Sequence, residues 1–284
     1  MKRSVVVTGV STGIGWGAVK VLTGKGFHVF GSVRKQADAD RLKQEFGDAF
    51  TPLIFDVTDE AGARAAAQTV REALNGQTLA GLVNNAGIAV AGPLLHLPVD
   101  QFRQQMEVNV TGVVIATQAF APLLGAEQGQ TGPKGRIVNI SSVGGRNGNP
   151  FLAPYNASKF ALEGLSESLR RELLLLGIDV IVVGPGAVAT PIWAKADEVD
   201  ATPYASTPFA PALERIRKFM ITSGPQGLAP EAIGEVIFKA LTVAKPKHRY
   251  AVSKDMAQVL LTEILPRRVM DRIVGKRLGL LPGA

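Results

Sequence analysis

The chain has 284 residues, of which 46% are hydrophobic and 19% charged, with 31 glycines and no cysteine. This balance supports a large core with frequent turns and excludes disorder, a coiled coil, disulfides, zinc–thiolate sites, iron–sulfur clusters and thiol catalysis. The net charge is +7, but the nine cations Lys245, Lys247, Arg249, Lys254, Arg267, Arg268, Arg272, Lys276 and Arg277 face only Asp255, Glu263 and Asp271, so +6 of it lies after residue 244 and no nucleic-acid-binding body is expected.

The N-terminus, Met1-Lys2-Arg3, leads into an apolar run, Val5 to Val7, too short for a signal core or a membrane span, so a cytoplasmic location is expected. Short β-branched runs predict strands over 4–8, 28–33, 51–56, 81–84, 135–141, 179–184 and 249–252. Helical periodicity falls between them, over 13–23, 37–46, 60–73, 99–124 with a break near Asn109, 154–176 and 230–243. This alternation predicts an α/β doubly wound (Rossmann) fold: one domain over 1–284, a parallel seven-stranded sheet with helices on both faces and ligands at the carboxyl ends of the strands. Residues 125–134 are expected as a surface loop at the opposite edge. Residues 190–229, rich in proline and aromatics, follow a strand's carboxyl end and are expected to form a lid over substrate.

The first strand runs into Thr8-Gly9-Val10-Ser11-Thr12-Gly13-Ile14-Gly15. Glycines at this spacing permit either a structural turn or the approach of a pyrophosphate to a helix N-terminus, with Gly9, Ser11, Thr12, Gly13, Ile14 and Gly15 as the contacts. No Gly-Lys-Ser/Thr follows, so a nucleoside triphosphate loop is excluded. The second strand ends in Ser32-Val33-Arg34-Lys35, without the acid that would grip an NAD ribose. Arg34 is either a solvated loop charge or a bidentate partner for the 2'-phosphate of NADP(H), with no Asp expected to compete for the space.

Tyr155 and Lys159 share a helix face four residues apart, where an ammonium favours the phenolate of a phenol otherwise too weakly acidic for acid–base work at neutral pH. Tyr250 and Lys254 repeat the spacing, but on an expected strand, which separates them by about 13 Å. Thirteen residues before Tyr155, a strand ends in Ile140-Ser141-Ser142, which places a hydroxyl at the ligand edge. Only one of the two serines can face the pocket.

On these residues the chain resembles the short-chain dehydrogenase/reductase family, over roughly 5–190, in its single-domain branch with the Thr-Gly-x-x-x-Gly-x-Gly loop. The segment from Ser142 to Leu169 is similar to hydroxysteroid and retinoid members. The resemblance selects Ser142 over Ser141 and implies a catalytic set of Asn109, Ser142, Tyr155 and Lys159, in which Asn109 holds a helix kink and an ordered water in a proton relay. It further implies that Asp56, with Val57, meets the adenine and that Asn85, Ala86 and Gly87 shape the cofactor floor. Pro185, Gly186, Val188 and Thr190 would touch the nicotinamide, and Tyr155 and Lys159 its ribose.

The expected activity is therefore NADP(H)-linked interconversion of a hydrophobic ketone or aldehyde and its alcohol, with Ser142, Tyr155, Phe151 and Trp193 at the substrate and no metal. NAD linkage, or a nucleotide-sensing protein on the same scaffold, are the alternatives. The segments 88–98 and 143–154 hold no fixed charge but Arg146, and the cations Lys195, Arg215, Arg217 and Lys218 of the lid are balanced by Asp197, Glu198, Asp200 and Glu214. In family members the helices matching 99–124 and 154–176 pair across a two-fold axis. Val113, Val114, Ile115, Leu165, Leu169, Leu173 and Leu176 are the apolar surplus that would form such a homodimer or homotetramer. The basic stretch 260–281 carries Leu261, Ile264, Leu265, Val269, Ile273 and Leu278 in a rough helical stripe. It is expected either to pack on the body as a solvated helix or to make a weak peripheral contact with anionic lipid.

Overall fold

A computed structural model describes residues 3–196 and 202–282. Seven parallel strands lie in the order β3-β2-β1-β4-β5-β6-β7: β1 Ser4–Val7, β2 His28–Val33, β3 Phe50–Ile54, β4 Gly81–Asn84, β5 Arg136–Ile140, β6 Asp179–Pro185 and β7 Arg249–Val252. The helices between them are α1 Gly13–Gly24, α2 Gln36–Phe46, α3 Glu60–Leu74, α4 Val99–Met106, α5 Gly112–Phe120, α6 Ala153–Glu172, α7 Ala210–Ser223 and α8 Pro230–Thr242, and after β7 come α9 Met256–Ile264 and α10 Arg267–Leu278. This is the expected doubly wound Rossmann-type fold. The strand order reverses between β1 and β4, where a ligand crevice opens at the carboxyl edge.

Strand alternation divides the core. Val5 and Val7 point with Ala18, Leu22, Leu42, Ile233 and Ile237 into the layer covered by α1, α2 and α8. Val6 points the other way, with Val70, Leu74, Ile115 and Phe120, into the layer of α3 and α5. The run Val99–Leu124 is long and apolar enough to cross a membrane by composition, yet half of its most apolar window is buried in this second layer. It breaks where expected, in a π-helical turn over Glu107–Thr111 that contains Asn109. A basin of about 460 Å³ lined by Arg3, His28, Thr51, Thr78 and Lys134 lies at the amino edge, on the far side of the sheet from the crevice.

Two expectations change. Val113 and Ile115 are buried within the chain, and Leu169, Leu173 and Leu176 pack on its core, so most of the apolar surplus assigned to a subunit interface is consumed within the chain; Val99, Phe160, Leu174 and Leu175 are the exposed large apolar residues of that region. The C-terminal stretch is two helices rather than one, because Pro266 has no N–H to continue α9. Its stripe also does not all face the body, since Leu261, Ile264, Val269 and Ile273 are exposed.

Helices α1 and α8 meet backbone to backbone. A Cβ on Gly17 would lie 2.5 Å from the Pro230 carbonyl carbon, and one on Gly234 would lie 2.7 Å from the Gly17 carbonyl oxygen. Gly17→Val is expected to lower stability by about 2 kcal/mol or more in chemical denaturation, because helix backbone must move to admit it. Gly24→Ala, at the open end of the same helix with nothing within 4 Å, should be neutral or stabilising by up to about 1 kcal/mol.

Candidate active site

The turn after β1 is welded to its neighbours. Thr8 Oγ1 accepts from the backbone N–H groups of Asn85 (2.9 Å) and Ala86 (3.0 Å), the Asn85 amide donates to the carbonyls of Thr8 and Gly9 at 2.9 Å each, and the Gly9 N–H donates to Ser32 Oγ at 2.9 Å. No side chain fits at the crossing. A Cβ on Gly9, whose φ is +68°, would lie 2.7 Å from Ala86 Cα, and one on Gly15 would lie 2.2 Å from the Gly9 carbonyl oxygen. Thr12 enters α1 in an extended conformation without a side-chain cap, and no acid stands in the first turn. The opening N–H groups of α1 thus meet no side-chain carboxylate and are left to bind an external anion. Ile14 packs its side chain on the core, which leaves its backbone to the crevice. Thr190, after β6, closes over the turn, 3.2 Å from where a Gly13 Cβ would be. A glycine cradle with an uncapped helix end fits the pyrophosphate of a dinucleotide.

At the adenosine end the structure revises one expectation. Arg34 is 70% exposed and its Nη1 lies 3.8 Å from Asp56 Oδ2, so an acid does compete for this guanidinium. Asp56 Oδ1 is held by the N–H (3.0 Å) and hydroxyl (2.8 Å) of Thr58, Val57 is buried against Gly112, and a Gly87 Cβ would sit 3.2 Å from Asn109 Oδ1. Arg41 of α2, a residue passed over in the sequence, donates to the Ser11 carbonyl at 2.6 Å and brings a second guanidinium to the turn.

Ser142, Tyr155 and Lys159 converge beyond the end of β5. Ser142 Oγ is hydrogen-bonded to the Tyr155 phenol, accepts from the Gly144 N–H at 3.0 Å and donates to the Pro185 carbonyl at 3.4 Å. Ser141 is turned away, its hydroxyl buried near Gly145 with no partner among the described residues. Lys159 Nζ donates to the Ile140 carbonyl at 2.9 Å and lies 5.8 Å from the centre of the Tyr155 ring. Burial pushes the Tyr155 phenol up, with the Ser142 hydrogen bond opposing it, and pushes the Lys159 ammonium down to about 8, with Glu163 opposing. In the chain without cofactor, desolvation therefore outweighs the expected help from the lysine. Asn109 spends its side chain elsewhere: Oδ1 accepts from the Ile88 N–H (2.9 Å), and Nδ2 donates to the Ile88 carbonyl and to Ser158 Oγ, both at 3.1 Å. The side chain clamps the loop after β4 to α6. The second Tyr-x-x-x-Lys pair is split as its strand requires, Tyr250 Oη accepting from the Lys247 N–H and Lys254 reaching the Gln226 carbonyl.

Arg249 and Glu163 escaped the sequence analysis. Arg249, counted there only among the cations after residue 244, is 7% exposed; its Nε lies 3.0 Å from a Glu163 carboxylate oxygen and its Nη2 donates to the Ser142 carbonyl at 3.3 Å. Glu163 stands four residues after Lys159, one further step along the same helix face, and that spacing was the available signal.

The segment after β6 shares a small core of Phe151, Tyr204, Ala212 and Leu213 with the loop after β5, and Phe209, Leu278 and Leu280 pack against it. Phe151, with φ +64°, sets its ring 6.1 Å from that of Phe209, whose other neighbour is His96 at 5.9 Å. Trp193 donates from Nε1 to the Val188 carbonyl at 2.6 Å and packs on Gly224. Val188 buries its side chain in the sheet core, so only its backbone faces the crevice, while Gly186 donates to the Val252 carbonyl at 2.8 Å. Asp197, Glu198 and Asp200, expected to balance the cations of the lid, lie outside the described residues.

Since Glu163 and Arg249 desolvate each other, removing one strands a buried charge. Glu163→Gln and Arg249→Met should each lower stability by about 3 kcal/mol in urea denaturation, and the double variant should lose clearly less than the sum.

The short chain dehydrogenase family profile matches residues 3–201. The chain is 37% identical over 277 residues to an NADPH-dependent 3-dehydrocapnine reductase from Ornithobacterium rhinotracheale, covering 97% of both chains. It is 33% identical to the mitochondrial D-beta-hydroxybutyrate dehydrogenase of Rattus norvegicus, covering 87% of this chain and 76% of that protein. Among solved structures it superposes on a short-chain dehydrogenase from Streptomyces avermitilis with a TM-score of 0.77, at 27% identity over 97% of each chain. The welded glycine turn and the family match together make this chain an NAD(P)-binding oxidoreductase that belongs to the short-chain dehydrogenase/reductase family.

Proposed function

We propose that the protein is a cytoplasmic, NADP(H)-linked carbonyl reductase for hydrophobic ketones or aldehydes, running in reverse as an alcohol dehydrogenase. The observation that carries the reading is the convergence of Ser142, Tyr155 and Lys159 beside the glycine turn. The nicotinamide, when bound, supplies or accepts the hydride. Gly9, Ser11, Thr12, Gly13, Ile14 and Gly15 would hold its pyrophosphate. Asp56, Val57, Asn85, Ala86 and Gly87 would line the adenosine side, and Pro185, Gly186, the backbone of Val188, and Thr190 the nicotinamide side.

Tyr155 donates its phenolic proton to the substrate oxygen, and Ser142 donates a second hydrogen bond to the same oxygen as it gains charge. Lys159 holds the nicotinamide ribose and, as an ammonium, stabilises the phenolate that Tyr155 becomes. Asn109 is a positioning residue that fixes the loop after β4 over this site. A neutral substrate is supported by Arg146, the one fixed charge of the pocket segments, whose Nε lies 3.8 Å from Glu163 rather than free to meet a carboxylate. Phe151, Trp193, Leu97 and Phe209 supply apolar walls. Homo-oligomerisation through α4–α5 and α6 is part of the reading, with Phe160, Leu174 and Leu175 as the exposed apolar contacts. Preference for NADP(H) is supported by the missing acid after β2, by Arg34 and Arg41 beside the adenosine site, and by the NADPH dependence of the relative from Ornithobacterium.

Tyr155→Phe is expected to lower kcat on an alicyclic or aryl ketone by at least about a thousandfold while NADPH still binds, because it removes the proton donor and little else. Retention of a tenth of wild-type turnover, or a keto acid or sugar outperforming every apolar ketone in kcat/KM, would overturn the reading. Arg34→Ala is expected to weaken NADPH by about 2 kcal/mol more than NADH if the phosphate pairing is bidentate. Equal losses in paired titrations would reject the assignment of Arg34.

A further inference from the structure

We propose that the segment formed by α9 and α10 is a docking surface for an anionic lipid bilayer. In α9, Ala257, Leu260, Leu261 and Ile264 fall at i, i+3, i+4 and i+7, the spacing of one helix face, and this face is turned to solvent: Leu261 is 54% exposed and Ile264 78%. In α10, Val269 and Ile273 are likewise exposed, next to the cations Arg268, Arg272 and Lys276. That helix carries five cations against the single acid Asp271, and among the described residues no ion pair engages Arg268, Arg272 or Lys276. Exposed aliphatic side chains flanked by unpaired cations are the composition that binds an anionic bilayer interface, where apolar burial and charge attraction act together.

The other occupant to consider is a second copy of the chain. A two-fold contact across α10 would set Arg267, Arg268 and Arg272 against their own copies with one acid per helix to balance them, so charge complementarity selects the anionic bilayer.

Helix α10 is also fixed to the mouth of the crevice. Arg267 donates to Asn147 Oδ1 and to the Arg146 carbonyl, both at 3.3 Å, which ties the start of α10 to the loop after β5. Arg215 of α7 donates to the Leu278 carbonyl at 2.7 Å, and Leu278 and Leu280 pack in the core of the lid. The inner side of α10 is thus a wall of the lid while its outer side meets lipid. On the reading of the enzyme as a reductase of apolar ketones, this lets a membrane-dissolved substrate enter without crossing water.

The test is sedimentation of the full-length protein with vesicles of phosphatidylcholine alone and of phosphatidylcholine mixed with phosphatidylglycerol. Binding to the anionic vesicles, weakened by salt, is expected, with little binding to the neutral ones. Leu261→Asp with Ile264→Asp, and separately Arg268→Gln with Arg272→Gln, should each lower the partition coefficient by about tenfold or more. NADPH-linked reduction of a water-soluble ketone should remain at the wild-type level in both variants, and because binding is read by sedimentation the result does not depend on turnover. The proposal is overturned by absent binding to anionic vesicles at low salt, or by variants that bind as the wild type does. It is equally overturned if the Asp variant becomes a smaller species in light scattering, which would show that a second copy covers this face.

Discussion

The structure depends on the contact between the turn after β1 and the end of β4. Where the strand order reverses, the chain must leave two adjacent strands in opposite directions, and the crevice this opens would splay apart unless something held its walls. Thr8 and Asn85 hold them through hydrogen bonds within 3.0 Å, in which the hydroxyl accepts from two backbone N–H groups and the amide returns two donors to the turn. The same contact forbids a Cβ at Gly9 and Gly15. The turn is therefore rigid before any ligand arrives, and the uncapped N–H groups of α1 keep the orientation an anion needs without reorganisation.

A second constraint is electrostatic. Lys159 is buried and Tyr155 partly so, and desolvation drives each toward its neutral form, the phenol upward and the ammonium down to about 8. Glu163 supports the charge on Lys159 and is itself paired with Arg249, whose Nε lies 3.0 Å from it. Arg249 in turn donates to the backbone of Ser142. One chain of contacts thus runs from the edge strand β7 through α6 to the loop that carries the serine, so the last strand of the sheet helps to position groups placed on the fifth.

The segment after β6 and the C-terminal helices form a third unit, joined to the Rossmann core at the loop after β5. Their shared cluster of Phe151, Tyr204, Leu213 and Leu278 draws on three separate stretches of chain. This explains why a segment with irregular sequence, punctuated by prolines, still has a defined interior.

Local physics made much of this legible from sequence. β-branched runs marked the seven strands, glycines marked the turn, the break at Asn109 emerged as a π-helical turn, and i,i+4 geometry joined Tyr155 to Lys159. Pairings between distant residues were not legible: Glu163 with Arg249 across 86 positions, Arg41 with Ser11, and the acid Asp56 beside Arg34. The C-terminal stripe shows the same limit. Periodicity states which side chains share a face of a helix, but not whether that face turns inward, because the sign of that choice is set by what the rest of the chain has already covered. The sequence by itself determined the elements, their parallel order and the chemistry of the turn, all of which follow from backbone preference and short-range spacing. Only the tertiary structure decided which charges are buried in pairs and which apolar faces remain open, because both depend on surfaces brought together from opposite ends of the chain.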